Sequence, residues 1–394
     1  MNTSPEKSHL SSSPYIWISA AETSGDIHGA NLIGSLADLS EDYQFVGIGG
    51  PEMRSKEFSA LIRSEELSVM GFTEVLGMLP KILGILRRNK QLLRAYMPRC
   101  IILIDAPDYH FRIAKIASKL GIPVYYYISP QIWAWRKRRV YFMRKYVQKI
   151  LCIIPFEKEF YASYGIDVEF VGHPLLQYMD LPSLDSISGS KRTIAILPGS
   201  RKKEITSLLP HFAEAAGIIK ENFPDTEFYL IRSPHIEKGL LENLWPRDLP
   251  CYIIRFSERY QAIRECTAVI TASGTASLEC AILNIPTIVA YKLSWISYQL
   301  GKLVVDVPYI SLPNLIQKKR VFPEFIQSDV NAEKLASQVL EWLNNPSEMQ
   351  EIKKELLNIR QMLGKVTASH TAAEIILRDI QSSDKVSEIA NAKG

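Results

Sequence analysis

The strongest constraint on the fold is a repeated grammar of short, almost wholly apolar runs, each ending in a turn of small or acidic residues and giving way to a helical pattern. Tyr15-Ile-Trp-Ile-Ser19 runs into Ala20-Ala-Glu-Thr-Ser-Gly-Asp26, Gln44-Phe-Val-Gly-Ile48 ends in Gly49-Gly50, and Cys100-Ile-Ile-Leu-Ile104 ends in Asp105-Ala-Pro-Asp108. Further runs lie at residues 123–128, 149–154 and 168–171, and the pattern restarts near Thr193, Glu227, Tyr252, Val269 and Thr287. Strands this apolar need cover on both faces, which a parallel sheet between two layers of helices provides. The sequence therefore predicts an α/β protein of two doubly wound, Rossmann-like parallel-sheet domains facing across a cleft.

A chain of 394 residues is too long for one ordinary core and fits this two-domain reading. The expected divisions are a disordered tail at 1–14, a first α/β domain at 15–180, a Ser-rich linker at 181–191, a second α/β domain at 192–360 and C-terminal helices at 361–394. The last of these helices is free to cross back to the first domain. Five cysteines, odd in number and without a C-x-x-C pair, indicate neither a disulfide framework nor a zinc site and fit a reducing compartment. The start of the chain lacks the apolar core of a signal peptide. No uncharged apolar run approaches the roughly 20 residues of a spanning helix, because the best stretch, 71–86, is broken by Glu74, Pro80 and Lys81. A cytoplasmic, non-spanning protein is expected.

Net charge is only +4, but residues 79–149 carry 16 Lys/Arg against two acids, Asp105 and Asp108. A region at +14 must face something anionic or stay strongly solvated. Within it, Trp133-Ala-Trp-Arg-Lys-Arg-Arg139, followed by Tyr141, Phe142, Arg144 and Lys145, interleaves aromatics with cations. A single-stranded nucleic-acid surface has this look, but no nucleic-acid-binding motif accompanies it, and a phosphate-bearing or lipid substrate explains the same residues.

Two turns in the second half carry more chemistry. In Thr193-Ile-Ala-Ile-Leu-Pro-Gly-Ser-Arg201 and Ala268-Val-Ile-Thr-Ala-Ser-Gly-Thr-Ala-Ser-Leu-Glu279, a buried strand ends at a small residue and a helix begins. Backbone N–H groups and a helix N-terminus then face an incoming anion. Arg201 beside one turn and Glu279 inside the other suggest a nucleotide diphosphate held by Gly199, Ser200, Arg201, Ser273, Gly274 and Thr275, with its ribose near Glu279.

Asp105 follows a strand end, where open α/β sheets place functional groups. It reads as a general base for an attacking hydroxyl or, equally, as a helix cap or ion-pair partner of the basic region. The turn of Glu22, Ser24, Gly25 and Asp26 suits sugar hydroxyls better than phosphate, and reads equally well as a capped helix start. His28 and His173 are lone histidines and stay outside the site. Asp105 and Asp108 do not have the spacing of a metal cage, and no metal is expected. Val75, Met78, Leu79, Ile82, Leu83 and Leu86 form an apolar helical stripe followed by Arg87 and Arg88. Such a stripe is ordinarily core. Were three or four of its side chains to enter lipid at about 1.5–3 kcal/mol each, they would anchor the chain by roughly 5–12 kcal/mol.

Taken together, Ala21-Glu-Thr-Ser-Gly-Asp26, Gly47-Ile-Gly-Gly50, Ser68-Val-Met-Gly-Phe72, Asp105-Ala-Pro-Asp108, Ile128-Ser-Pro-Gln-Ile-Trp-Ala-Trp-Arg136, Phe170-Val-Gly-His-Pro174, Leu197-Pro-Gly-Ser-Arg201, Thr271-Ala-Ser-Gly-Thr275 and Ser311-Leu-Pro-Asn314 strongly resemble the lipid-A-disaccharide synthase family. The resemblance runs in order from about Tyr15 to Gln327. It implies an inverting glycosyltransferase of the two-domain GT-B type, without cofactor or metal, peripheral on the inner face of the cytoplasmic membrane. Such an enzyme joins UDP-2,3-diacylglucosamine to 2,3-diacylglucosamine 1-phosphate through a β-1,6 linkage and releases UDP. By the same resemblance Asp105 is the general base, Gly199 to Arg201 and Ser273 to Thr275 bind UDP, Glu279 takes the ribose and Asn314 lines the donor side. Glu22, Ser24, Gly25 and Asp26 fall on the acceptor or sugar side. Val75, Leu79, Ile82, Leu83, Leu86, Arg87 and Arg88 would meet an anionic membrane surface. No nucleic-acid partner is implied, and the number of copies is left open. The alternative is another UDP-sugar GT-B enzyme, a soluble glycosyltransferase or an epimerase, which would bury the stripe at 75–86.

Overall fold

The structure, a computed structural model, describes residues 14–68, 75–293, 298–299 and 307–391, with backbone alone at 68, 75–80 and 384–391. The chain forms two compact units. The first runs to Pro174 and resumes at Val366, and the second is Leu175–Lys365.

In the first unit β1 (Tyr15–Ala20), β2 (Gln44–Gly49), β3 (Phe58–Arg63), β4 (Cys100–Ile104), β5 (Val124–Tyr127), β6 (Lys149–Cys152) and β7 (Val168–Phe170) form one sheet in the order β3-β2-β1-β4-β5-β6-β7. In the second, β8 (Thr193–Leu197), β9 (Glu227–Arg232), β10 (Tyr252–Arg255), β11 (Ala268–Ala272), β12 (Thr287–Tyr291) and β13 (Glu324–Ile326) follow the order β10-β9-β8-β11-β12-β13. Every pairing is parallel. Strand order reverses direction between β1 and β4, and again between β8 and β11. β3 and β13 were not foreseen. Both are edge strands with one neighbour and partly exposed side chains, so they lack the all-apolar signature of the central strands.

The double cover explains that signature. Trp17, Ile101, Leu103 and Tyr126 pack into a core on one face of the first sheet, while Ile16, Ile18, Ile102, Ile104, Tyr125 and Tyr127 pack on the other. The second face is completed by the end of the chain. Helix Ala368–Asn391 lies against helix Thr23–Leu39, adding Ala372, Ala373 and Ile376 to that core. Ser35 Oγ donates to Ser369 Oγ at 3.1 Å, and the buried Lys149 pairs with Asp379 at 2.8 Å.

Two local expectations change. Residues 181–191 do not form a simple linker, since Leu181–Asp185 is a helix capped by Asp180. Arg360 donates to Asp185 at 2.8 Å and Arg264 to the Leu184 carbonyl at 3.0 Å, so this segment is part of the second unit. The stripe on helix Val75–Tyr96 is also divided. Leu86, expected at the membrane, is 9% exposed and lies in the core with Ile85 and Leu93, whereas Leu83 is 48% exposed. The reason is helical phase: at about 100° per residue, Ile82, Ile85, Leu86, Asn89 and Leu93 cluster around one direction, and Leu83 points well away from it. Ile82 is half-buried against the core and Arg87 is exposed. Arg88 donates to the Leu61 carbonyl at 2.8 Å and sits 3.7 Å from Glu66, so it is tied to the unit's own surface. The side chains of Val75 and Leu79 lie outside the described residues. Leu86→Ala should cost about 2–4 kcal/mol in urea unfolding, while Leu83→Ala stays within about 0.5 kcal/mol. Equal costs would mean that the helix faces are misassigned.

Candidate active site

In the second unit the strand ends around the reversal open into a cavity of about 440 Å³. Gly199 and Ser200 follow β8 and Ser273 to Thr275 follow β11. Ser233 and Phe256 follow the neighbouring β9 and β10, so the lining is supplied by one edge of the sheet. Gly199 adopts φ +113°, which an L-residue with a Cβ rarely adopts, and its carbonyl accepts from Ser233 Oγ at 3.0 Å. The next N–H, of Ser200, donates to Glu204 at 3.0 Å, showing that this donor is aimed where an acceptor oxygen fits. Beside Gly274 there is open space for at least 4 Å. Arg201 and Thr275, the latter opening helix Thr275–Ile282, complete the cationic and helix-terminal side.

Glu279 lines the far side of this cavity. Its Oε1 accepts from Arg259 at 3.0 Å and from the Tyr260 hydroxyl at 2.9 Å, and its Oε2 lies 3.5 Å from Arg259 Nε. The Arg259 guanidinium lies over the rings of Phe256 and Tyr260, at 3.7 and 3.9 Å from their centroids. Burial, with the Glu279 charge adding, pushes the Tyr260 hydroxyl well up, so it remains a donor. Phe256, Arg259, Tyr260 and Ser233 were not named from the sequence. Position just past the end of a parallel strand was the signal available for Ser233 and Phe256. Arg259 and Tyr260 sit in the helix Arg259–Arg264, where no periodicity marks them.

In the first unit Asp105 stands at the end of β4, with Glu22 beyond the end of the adjacent β1. Asp105 and Ala106 both have positive φ, at +50° and +45°, which is strained for residues other than glycine. Two buried side chains hold that turn: Tyr126 Oη donates to the Asp105 carbonyl at 2.6 Å and His110 Nδ1 at 2.7 Å. A carbonyl only accepts, so Nδ1 carries the proton, and Nε2 is left to accept from Ser19 Oγ at 2.9 Å. Burial lowers the His110 pKa to about 4, opposed by the Asp105 carbonyl, so the ring is neutral. Burial also raises the Asp105 carboxyl to about 6, with the negative charge of Glu22 adding and the Ala106 N–H opposing. Asp105 opens onto a cavity of about 270 Å³ that Ser129, Gln131, Trp135, Arg136 and Arg139 also line. Among the described residues no group of three or more His, Cys, Asp or Glu is placed to hold a metal ion.

Other expected residues have structural duties. Asp26 is buried, and its carboxylate accepts from the N–H groups of Gly50 at 2.6 Å, Glu52 at 2.9 Å and Met53 at 3.2 Å. It caps the short helix Pro51–Arg54 across 24 residues instead of its own helix. Gly50 packs so closely on Asp26 that a Cβ would collide with the carboxylate. Gly25 is buried against Ala20, whereas Glu22 and Ser24 are exposed. Asn314 does not line the cavity. It is fully buried, its Nδ2 donates to the Phe322 carbonyl and to Glu324 at 2.8 Å each, and its Oδ1 accepts from Val321 and Phe322 N–H at 2.8 Å. All four of its hydrogen-bonding positions serve the fold, a role that the apolar Leu-Pro context did not announce.

The raised Asp105 carboxyl has a stability consequence. Its folded pKa of about 6 lies above the unfolded value of about 3.9, so the ionised form costs the folded state above pH 6 and that cost is absent below about pH 4. Asp105→Asn, which tolerates the left-handed turn, should therefore stabilise the protein by roughly 1–2 kcal/mol at pH 7.5, with the gain fading as pH falls from 6 to 4. A pH-independent change in the urea midpoint would overturn this. Asp26→Asn exchanges an accepting oxygen for a donor and should cost about 2–3 kcal/mol in the same assay.

A model of the lipid-A-disaccharide synthetase family matches residues 16–378. The chain is 37% identical over 380 residues to the lipid-A-disaccharide synthase of Syntrophus aciditrophicus, covering 94% of this chain and 99% of that one. It is 34% identical to that of Geobacter metallireducens, with 96% and 98% covered. In fold it is similar to a UDP-GlcNAc 2-epimerase from Neisseria meningitidis bound to UDP-GlcNAc (TM-score 0.62, 12% identity, 92% of this chain and 99% of that one). It is also similar to the calicheamicin glycosyltransferase CalG4 (TM-score 0.61, 10% identity, 94% and 99%). Those two likenesses establish the GT-B fold shared by glycosyltransferases and epimerases. Sequence places the chain within it: the protein belongs to the lipid-A-disaccharide synthase family, the glycosyltransferases that form the lipid A disaccharide.

Proposed function

We propose that the protein transfers the diacylated glucosamine of UDP-2,3-diacylglucosamine to 2,3-diacylglucosamine 1-phosphate in a single inverting displacement, giving the β-1,6-linked disaccharide 1-phosphate and UDP. The observation that carries this reading is the Asp105 carboxyl, half-buried at the strand-order reversal, raised to about 6 and opening on its own cavity. In the step, the acceptor 6-hydroxyl oxygen bonds to the donor's anomeric carbon as the bond from that carbon to the UDP oxygen breaks. The hydroxyl proton passes to Asp105, which at neutral pH is ionised and a stronger base than an exposed aspartate. Charge building on UDP is met by Arg201 and the N-terminus of helix Thr275–Ile282. Glu279 Oε2, the carboxylate oxygen less occupied by Arg259, accepts a ribose hydroxyl.

Both substrates carry acyl chains, and we place the protein peripherally on the anionic inner face of the cytoplasmic membrane. Exposed Leu83 and Arg87 support that reading. Among the described residues no helix is long and apolar enough to cross a membrane.

The test is UDP release in detergent, with chelator present. Release should require the phosphorylated acceptor, and Asp105→Ala should lower turnover about 10²- to 10⁴-fold while UDP affinity is unchanged. UDP or an isomerised UDP-sugar appearing without acceptor would favour the epimerase reading instead. Because the base must be ionised, kcat/KM should fall as pH drops through about 6. Glu22→Gln removes a charge that raises the Asp105 pKa, so the midpoint of this acid limb should move down.

A further inference from the structure

The Asp105 cavity has a second half whose chemistry the displacement step does not use. Its lining includes the guanidinium groups of Arg136 and Arg139 and the indole of Trp135. These residues leave a single turn of helix, Ile132–Trp135, whose orientation is fixed from below. Trp133 is buried, and its Nε1 donates to the fully buried Glu157 at 2.9 Å. Two helical steps turn the chain by about 200°, so anchoring Trp133 in the core sends Trp135 outward, where it is 44% exposed. The cations are held as firmly. Arg136 stacks on the Trp135 ring at 4.1 Å, and Arg139 lies over Phe111 at 5.3 Å. Both reach Asp108, Arg136 at 3.4 Å and Arg139 through a very short contact. Asp108 itself is 77% exposed, so a carboxylate at the rim fixes two guanidinium groups. Two planar donor forks, prearranged by one rim carboxylate, suit a phosphate monoester, and an exposed indole beside them suits the face of a sugar ring.

We propose that Arg136 and Arg139, with Trp135 beneath the sugar, form the subsite for the phosphate of the acceptor. This assignment rests on the glycosyltransferase reading above. It makes these residues the determinants of acceptor choice: the phosphate is fixed by the two guanidinium groups so that a hydroxyl of the same sugar lies at Asp105. Trp133 and Glu157 act through Trp135 as positioning residues. The basic stretch Trp133–Arg139 then serves one substrate group instead of a polyanion.

A phosphate could be presented to these arginines either by the acceptor sugar or by the headgroup of a bilayer lipid, and one set of measurements separates the two. Steady-state kinetics are run in neutral detergent with 2,3-diacylglucosamine 1-phosphate and with its dephosphorylated counterpart, for the wild type, Arg139→Met, Arg136→Met, Arg139→Lys and the control Arg144→Met. Arg144 is an exposed cation on the following helix and not part of the cavity lining. Binding to phosphatidylglycerol vesicles is measured in parallel by flotation. Arg139→Met and Arg136→Met should each raise the acceptor KM about 10- to 100-fold with donor KM unchanged, and should erase the wild type's preference for the phosphorylated acceptor. Arg139→Lys, keeping the charge but losing the fork, should fall between, and Arg144→Met should match the wild type. Urea midpoints matching the wild type's certify that the variants are folded. The proposal is overturned if discrimination survives both methionine variants, including the case in which they lose only vesicle binding, which would mark a headgroup site. Absence of acceptor-dependent UDP release by the wild type would instead fail the underlying function, and the subsite with it.

Discussion

Everything functional in this protein depends on the fact that parallel strands all end at the same edge. At that edge the backbone groups of the last residues have no ladder partner, and helices begin there with their N–H groups pointing out. Where strand order reverses, between β1 and β4 and between β8 and β11, the connections leave toward opposite faces and a crevice results. Asp105 with Glu22 occupies one such point, and Gly199 to Arg201 with Ser273 to Thr275 occupies the other. The two units thus use one geometric rule for two kinds of chemistry. One places a carboxylate of raised pKa where a proton can be taken up; the other places N–H donors and Arg201 where charge can be met.

The first of these requires strain. Asp105 and Ala106 are successive non-glycine residues in the left-handed region, and the β-branched Ile128, at the end of neighbouring β5, has φ +60°. Such conformations cost on the order of 1 kcal/mol or more each and persist only where surroundings fix them. Tyr126 and His110 do so from inside the core by sharing the Asp105 carbonyl, and the Ile128 N–H is taken by the Leu151 carbonyl at 3.1 Å. The carboxyl that faces the cavity is thus aimed by atoms on the opposite side of its own peptide.

What the sequence revealed was whatever is periodic or local. Double-sided burial wrote itself into Cys100–Ile104 and Ala268–Ala272, and the glycine turns after β8 and β11 were legible because only a few residue types make such turns. The edge strands β3 and β13 were hidden, being buried on too few sides to read as strands. Long-range polar contacts were hidden as well. Nothing near Asp26 says that its oxygens belong to Gly50, Glu52 and Met53, and nothing near Asn314 says that its amide is consumed by residues 321–324. Both side chains maintain turns. Leu86 was misread for a different reason: a stripe wide enough to serve two faces does not declare which residues the core claims.

The return of helix Ala368–Asn391 to the first sheet makes the second unit an insertion within the first, entered after Pro174 and left before Val366. Lys149 meets Asp379, and Ser35 meets Ser369, across more than two hundred residues of intervening chain. During synthesis the inserted unit is therefore complete while the sheet that emerged before it still has one face only partly covered, by the helix Thr23–Leu39. The unit carrying the glycine turns can fold on the ribosome as soon as it is made, but the unit carrying Asp105 must wait for the last stretch of the polypeptide. A nascent chain that stops short of Val366 would hold a finished inserted unit and a partly exposed apolar face, which makes the end of translation the moment at which the first unit's core closes.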